Sequence, residues 1–303
     1  MTSLTDAIQH LQLPQTDESP AEAQRLFHGR GHAYPGLHHV TVDWFPPVVL
    51  ITLFAEEDKK QIMCLAEYLY AQLPDCKSVQ LQHRYLPSGS IDVLLGEMIA
   101  SLVVNEAGLT YQISLGKARN HGLFLDMRNG RQWLREQAQQ KRVLNLFSYT
   151  CGFSVAAIEG KASFVMNMDM SSPALSVGRE NHRLNNHDLS SVRFDKLNIF
   201  KSFGRIKKQG PFDLLVCDPP TLQKGSVDIA RDYPKIMRRL DEFMAKESQL
   251  MLCLNAPELG EDFILQHMKR LASDYRHVTT IKPPNVYREA EGKGLTIMCF
   301  SKQ

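Results

Sequence analysis

After Asn120 the chain alternates short apolar runs with helix-patterned segments: 143–147 then 153–159, 164–169 then 172–185, 212–217 then 232–245, 248–255 then 261–273. This alternation constrains the fold more than any other feature, because parallel strands need a crossover and a helix supplies it. It predicts an α/β domain with a doubly wound, Rossmann-like, mostly parallel sheet and helices on both faces. Residues 192–194 add a third strand between the second helix and 212–217. Ser171 or Ser172 serves as N-cap of the helix over 172–185, and Pro234 falls in the first turn of 232–245. The last runs, 278–282 and 295–301, read as a hairpin with a long connection, which makes the last strand antiparallel.

The first part follows another pattern and predicts a small α+β domain over 1–118, with the sheet domain over 119–303. Little periodicity remains after a short helix at the start, and no chemistry is assigned to residues 1–20. A helix is expected over 21–27, then a glycine-rich turn over 28–36. Strands over 40–44 and 48–54 are separated by Pro46-Pro47. Ile62, Leu65, Ala66 and Leu69 set a helix over 59–73. Strands over 79–84, 100–106 and 109–115 complete a small sheet, the last two joined through Asn105-Glu106-Ala107-Gly108. Charge changes across the same boundary. Residues 1–118 carry 7 Lys and Arg against 13 Asp and Glu, whereas 119–303 carry 28 against 20. A basic second domain suits a polyanion, although solvated surface charge accounts for it equally well.

Several classes are excluded. The six cysteines have no C-x-x-C spacing, which argues against a zinc site or a disulfide framework and for free thiols in a cytoplasmic protein. Apolar runs such as 44–51 fall far short of the roughly 20 residues of a membrane span. The start lacks the basic-then-apolar pattern of a secretory signal. The expectation is a cytoplasmic protein with no membrane partner and no metal. Nothing in the sequence fixes its oligomeric state.

In an open α/β sheet, ligands bind beyond the carboxyl ends of the strands, where strand order reverses. That rule selects Asn145-Leu146-Phe147-Ser148-Tyr149-Thr150-Cys151-Gly152-Phe153-Ser154 after the first strand, Asp169 after the second and Asp218-Pro219-Pro220-Thr221 after the fourth. No G-x-G-x-x-G occurs, so a dinucleotide site is unsupported. Asp169 is placed to accept both hydroxyls of a ribose; capping the next helix is its plainer role. Consecutive prolines make a rigid loop suited to holding the Asp218 carboxylate against a substrate, or they simply end a strand.

Together these segments, with Asn120-His121-Gly122-Leu123-Phe124-Leu125-Asp126-Met127-Arg128 just before the first strand, resemble the class I S-adenosylmethionine-dependent methyltransferases that modify large-subunit ribosomal RNA. The resemblance is specific over about 117–302 and looser before it, where such enzymes carry a small α+β domain. No PUA-type segment is evident. The resemblance implies that Phe147, Ser148 and Gly152 line the methionine part of S-adenosylmethionine and that Asp169 takes its ribose hydroxyls. Asp126 and Arg128 would sit near its amino-acid end. Phe124, Asn145, Tyr149, Thr150, Phe153, Met170, Ile199 and Asp218 are further cofactor-side positions. The family's acid facing the adenine amino group is replaced by Asn198, whose amide oxygen still accepts a hydrogen bond. Its second loop glycine is Cys151.

Methylating carbon 5 of a pyrimidine needs a thiolate that adds to C6. Relatives making 5-methylcytosine carry a cysteine where this chain has Asn255, and Cys253 and Cys217 read as core. A nitrogen target is then expected. Guanine N7 offers a free lone pair, and Asp218, Pro219, Pro220, Thr221 and Asn255 are the candidate catalytic residues that position a flipped base. The same residues most resemble the branch that makes N7-methylguanine. His28-Gly29-Arg30-Gly31-His32 reads as a turn or a phosphate contact. Arg205-Ile206-Lys207-Lys208 and Arg238-Arg239 are RNA contacts or solvated charge, and 283–288 is a substrate loop or a hairpin connection. Two other readings stay open. A methyltransferase for protein or a small molecule would lack salt-sensitive RNA binding, and a non-catalytic assembly factor would lack turnover that depends on Asp218.

Overall fold

A computed structural model describes residues 4–14, 21–116, 120–220, 228–256, 259–289 and 294–303. The chain forms two compact units, one of Met1–Asp126 with Pro284–Glu291, the other of Met127–Pro283 with Gly292–Gln303.

In the first unit a 3-10 turn at Leu4–His10 precedes β1 (Gln24–His28), β2 (Val40–Phe45), β3 (Val48–Leu53), α1 (Lys59–Gln72), β4 (Ser78–His83), β5 (Ile91–Gly96), β6 (Ser101–Glu106) and β7 (Leu109–Ser114). Strands β1 to β5 form one sheet in sequence order. Only β3 and β4 are parallel, and α1 is their crossover. Its Ile62, Leu65, Ala66 and Leu69 pack on Val42, Trp44, Val49, Ile51, Val79 and Leu81. Asp58 caps it, accepting from the N–H groups of Lys60 and Gln61. Residues 21–27, expected as a helix, instead supply β1, paired antiparallel to β2. The β6–β7 hairpin is a separate two-stranded sheet rather than part of the larger one. Its turn residues Ala107 and Gly108 both have positive φ, the geometry that matches strand twist in a two-residue hairpin.

The sheet face opposite α1 is buried yet polar. Register places Thr41, Asp43, Thr52, Ser78, Gln80 and Gln82 there, and Arg25 donates to both Asp43 carboxylate oxygens through its Nε and Nη2. Residues 120–126 join this unit through Ser114 N–H to His121 O (2.9 Å) and His121 Nε2 to Gln82 Oε1 (3.2 Å). The division therefore falls a few residues later than 118/119. Segment 284–289 joins it through the His32–Glu289 bridge, with Gly31 backed so closely on Arg288 O that a Cβ would lie 2.0 Å away. A similar approach of Leu37 O requires Gly29, so the glycines of 28–32 serve packing.

The second unit contains α2 (Arg128–Gln137), β8 (Arg142–Leu146), α3 (Gly152–Glu159), β9 (Phe164–Asp169), α4 (Ser172–Leu184), β10 (Val192–Lys196), α5 (Phe203–Gln209), β11 (Phe212–Cys217), α6 (Ile229–Met237), α7 (Leu240–Phe243), β12 (Met244–Leu254), α8 (Gly260–Leu271), β13 (Tyr275–Ile281) and β14 (Thr296–Lys302). Its seven strands run β10-β9-β8-β11-β12-β14-β13. From β8 to β12 neighbours are parallel, and β14 is antiparallel to both β12 and β13. The last strand is thus antiparallel, as its hairpin pattern predicts, but lies one place in from the edge.

Alternate residues of the central strands face opposite cores, as period-2 patterning requires. Leu144, Met166, Leu215 and Leu250 meet Ile206, Tyr233 and Ile264 on one face; Val143, Val165, Val216 and Met251 meet Leu134, Phe153 and Ala157 on the other. Ser171 caps α4 by accepting from Ala174 N–H. The segment expected as one helix over 232–245 starts earlier, capped by Asp228, and breaks into α6 and α7, so Pro234 lies inside α6 rather than in a first turn. Strand order reverses between β8 and β11, which makes their carboxyl ends the place to look for chemistry.

Candidate functional site

At the end of β8 the backbone turns through Phe147, Tyr149 and Cys151, all at positive φ (57°, 46° and 62°). A non-glycine residue there costs about 1–2 kcal/mol, so three in five positions persist only if neighbours enforce them. Four contacts do so. Ser148 N–H donates to Met168 O (3.1 Å) and Cys151 N–H to Ser148 O (2.7 Å). Tyr149 N–H donates to Asp169 Oδ2 (2.9 Å), and Asn181 Nδ2 of α4 donates to Thr150 O (2.9 Å). Gly178, also on α4, leaves room for Cys151, since a Cβ there would lie 2.5 Å from its sulfur.

Asp169 ends β9 and is oriented from two sides: Oδ2 holds Tyr149 N–H, and Oδ1 holds Ser171 N–H at 2.7 Å. A carboxylate offers about four acceptor positions, so one lone pair on each oxygen remains for a pair of hydroxyls. Beside it, Met170 is exposed and lies against Asn198, whose Nδ2 reaches the Met170 sulfur at 3.7 Å. Asn198 Oδ1 accepts Lys201 N–H, and Ile199 turns into the core. Ser148 Oγ is buried with no nitrogen or oxygen partner, which fits a loop that awaits a polar ligand.

The other half of the rim comes from β11 and β12. Register pairs Cys217 with Leu146 on one side and Leu252 on the other. Continuing that register, Asp218 stands level with Phe147 and Cys253, and Asn255 lies two residues beyond. Pro219 is buried and Asn255 exposed; Thr221 lies outside the described residues. Sequence reasoning missed Tyr233 of α6. Its buried hydroxyl lies 3.1 Å from Cys217 O and 3.0 Å from Cys253 O, clasping both strands just beneath Asp218 and Asn255. Burial and the neighbouring polar groups push its phenol far above the ordinary range, so it stays a neutral donor.

Two of the selected residues act from inside. Phe153 packs into the core beside Gly130. Asn145 is 1% exposed and starts a buried chain of hydrogen bonds: its Nδ2 donates to Asn167 Oδ1 (2.9 Å), Asn167 Nδ2 to Ser154 Oγ (2.9 Å), and Ser154 Oγ lies 2.9 Å from His182 Nε2. His182 Nδ1 then faces His187 Nδ1 at 3.0 Å, and His187 Nε2 faces Glu159 at 3.5 Å. One donor direction satisfies every link, with His182 protonated on Nδ1 and His187 on Nε2. Both histidines are then neutral. Burial drives the His182 pKa down to about 3, helped by His187, and lowers that of His187 as well.

The second unit thus gathers Phe147 to Gly152, Asp169, Met170, Asn198, Asp218, Pro219, Pro220 and Asn255 at one end of its sheet. Arg128 opens α2 of the same unit. Phe124 and Asp126 belong to the first unit, Phe124 exposed and Asp126 in the 3-10 turn Leu125–Met127. Among the described residues no cluster of His, Cys, Asp or Glu is placed to hold a metal ion, and no helix is long and apolar enough to cross a membrane.

Residues 24–301 match the family model described as S-adenosylmethionine-dependent methyltransferase. The protein named Ribosomal RNA large subunit methyltransferase I of Erwinia tasmaniensis is 32% identical over 206 residues, which are 66% of this chain and 51% of that protein. The protein of the same name from Shigella boydii is 31% identical over the same share of each. The chain spans about half the length of the curated relatives it matches. A Streptococcus mutans structure assigned as a SAM-dependent methyltransferase superposes with TM-score 0.86 at 20% identity, covering 99% of this chain and 82% of that one. A second, assigned as a methyltransferase and solved with SAH, gives 0.83 at 21%, covering 94% and 76%. At these identities the structural likeness speaks to the fold.

Proposed function

Because this chain belongs to the S-adenosylmethionine-dependent methyltransferases, we propose that it methylates a base of large-subunit ribosomal RNA, at guanine N7 rather than cytosine C5. The names of the curated relatives support the RNA class. The cofactor's sulfonium supplies an electrophilic methyl group. Residues 147–152 hold its methionine portion, with the buried Ser148 hydroxyl as a polar contact. Asp169 accepts the ribose hydroxyls through its two remaining lone pairs. Asn198 and Met170 border the adenine, and Arg128 the amino-acid end.

The observation that carries the choice of atom is the state of the thiols. Cys217 and Cys253 are fully buried, and burial pushes the Cys217 thiol far above its ordinary range. Neither furnishes the thiolate that C5 chemistry demands. At the rim stands Asn255, a hydrogen-bonding side chain with no nucleophilic atom. N7 of guanine carries a lone pair and no proton, so its attack needs alignment and exclusion of water rather than a base. Asp218, Asn255 and the rigid Pro219-Pro220 turn perform that alignment on a base drawn out of its stack.

The test is to incubate unmodified large-subunit ribosomal RNA with the protein and methyl-labelled S-adenosylmethionine, then digest it to nucleosides for mass spectrometry. Labelled N7-methylguanosine that disappears with Asp218→Ala is the expected result. Labelled 5-methylcytidine would overturn the choice of atom, and unlabelled RNA the choice of substrate.

A further inference from the structure

Residues 179–208 hold 8 Lys and Arg against 3 Asp and Glu, and the fold gathers them along one edge of the methyltransferase sheet. Strand β10 is that edge. It contributes Arg193 and Lys196, and the turn beyond it contributes Lys201. Helix α5 adds Arg205, Lys207 and Lys208 on one flank; α4 adds Arg179 and Arg183 on the other. All are exposed except Arg193, which is half-buried. Specific contacts tie the flanks to the strand. Arg205 and Arg193 share the Asp195 carboxylate, with nearest nitrogen–oxygen distances of 3.2 and 2.8 Å, and the Arg179 guanidinium lies 4.4 Å from the centre of the Phe194 ring.

Acids neutralise little of this surface. Asp195 is spent on two arginines and Glu180 on Arg183. Arg179, Lys196, Lys201, Lys207 and Lys208 have no carboxylate partner among the described residues. A single lysine on an edge strand is the usual guard against pairing with another chain. That duty accounts for Lys196 but not for cations on two helices beside the strand. The strip also starts at the chemistry. Lys196 is the register partner of Asp169, and Lys201 follows Asn198, which caps it. From there β10 extends about 16 Å away from the rim.

We propose that this β10 edge, flanked by α4 and α5, is the track along which the substrate's ribose-phosphate backbone lies, its end at Lys196 and Lys201 delivering the target nucleotide to the cofactor rim. The proposal rests on the RNA reading above and adds the surface that reads the backbone. Lysine and arginine spaced along a strip, with few acids, recognise phosphates by charge and counterion release rather than by base sequence.

The test uses the full chain and unmodified large-subunit ribosomal RNA. Binding is measured across a salt series for the wild type, for Arg183→Glu with Lys207→Glu and Lys208→Glu, and for Lys269→Glu with Arg270→Glu and Arg276→Glu on the opposite edge. Calorimetric binding of S-adenosylmethionine reports that each variant is folded. The β10-edge triple is expected to weaken RNA binding about tenfold or more and to flatten the log–log salt slope by about 2, at roughly 0.7 for each lost phosphate contact. The opposite-edge triple should keep the wild-type slope. A wild type that methylates the RNA while both triples show equal slopes would overturn the proposed track alone. A wild type that takes S-adenosylmethionine yet neither binds nor methylates the RNA would overturn the RNA reading and the track with it.

Discussion

His182 should make the second unit lose stability on mild acidification, by an amount that follows from its burial. It is 0% exposed and neutral in the chain from Asn145 to Glu159, with a folded-state pKa of about 3 against 6.5 for the free side chain. Its pKa is depressed by folding, so unfolded chains take up a proton as pH falls below about 6.5 while folded ones do not, and stability declines until about pH 3. Between pH 7.5 and 5.0 the difference in proton uptake is worth about 2 kcal/mol, at 1.36 kcal/mol per pKa unit. His187 adds a loss of the same sign. The assay is urea unfolding followed by Trp133 fluorescence in a Trp44→Phe background, which leaves the reporter in the second unit. His182→Gln will be less stable at pH 7.5, yet it should lose about 2 kcal/mol less than its parent on going to pH 5.0. Equal losses in both proteins would refute the argument, since the carboxylates and the histidines away from this chain of hydrogen bonds titrate alike in the two, and of the described titratable groups only His187 touches the replaced ring.

Gly178→Ala should cost about 1–3 kcal/mol by driving a methyl into the Cys151 sulfur, and most of that should vanish in a Cys151→Gly background; a double-mutant cycle in thermal melts with no coupling would contradict it. Tyr233→Phe leaves two strand-end carbonyls without their shared donor. It should cost about 1–2 kcal/mol and lower kcat for methyl transfer more than it raises KM for S-adenosylmethionine. Asp169→Ala should abolish calorimetric binding of S-adenosylmethionine at micromolar concentrations, because it removes both the hydroxyl acceptors and the two backbone anchors; retained affinity would place the ribose elsewhere.

The sheet was legible from sequence because its central strands are short apolar runs between clear helical periods, and the strand-end rule led directly to Phe147, Asp169 and Asp218. What escaped were elements whose local signals pointed elsewhere. Residues 21–27 are rich in Ala, Glu, Gln, Arg and Leu, all good helix formers, and become β1 only through pairing with β2. Helices α2 and α5 carry Gly130 and Gly204 amid polar residues and show no convincing apolar face in the sequence. The supporting residues of the site escaped for a different reason. Asn181, His182 and Tyr233 sit on helices where a polar side chain usually faces water; only the packing reveals that these face inward, onto the turn after β8, the Asn145 chain and the strand-end carbonyls.

The position of β14 fixes an order of assembly. It is made after both β12 and β13, yet it lies between them, so those two strands have no shared partner until residue 302 has been synthesised. The first unit waits almost as long, because it recruits Pro284–Glu291. From the completion of β12 until β14 is made, a chain emerging from the ribosome therefore exposes unpaired strand edges, each a template for association with a neighbouring nascent chain. Truncation before Thr296 should consequently yield aggregates rather than a smaller folded protein.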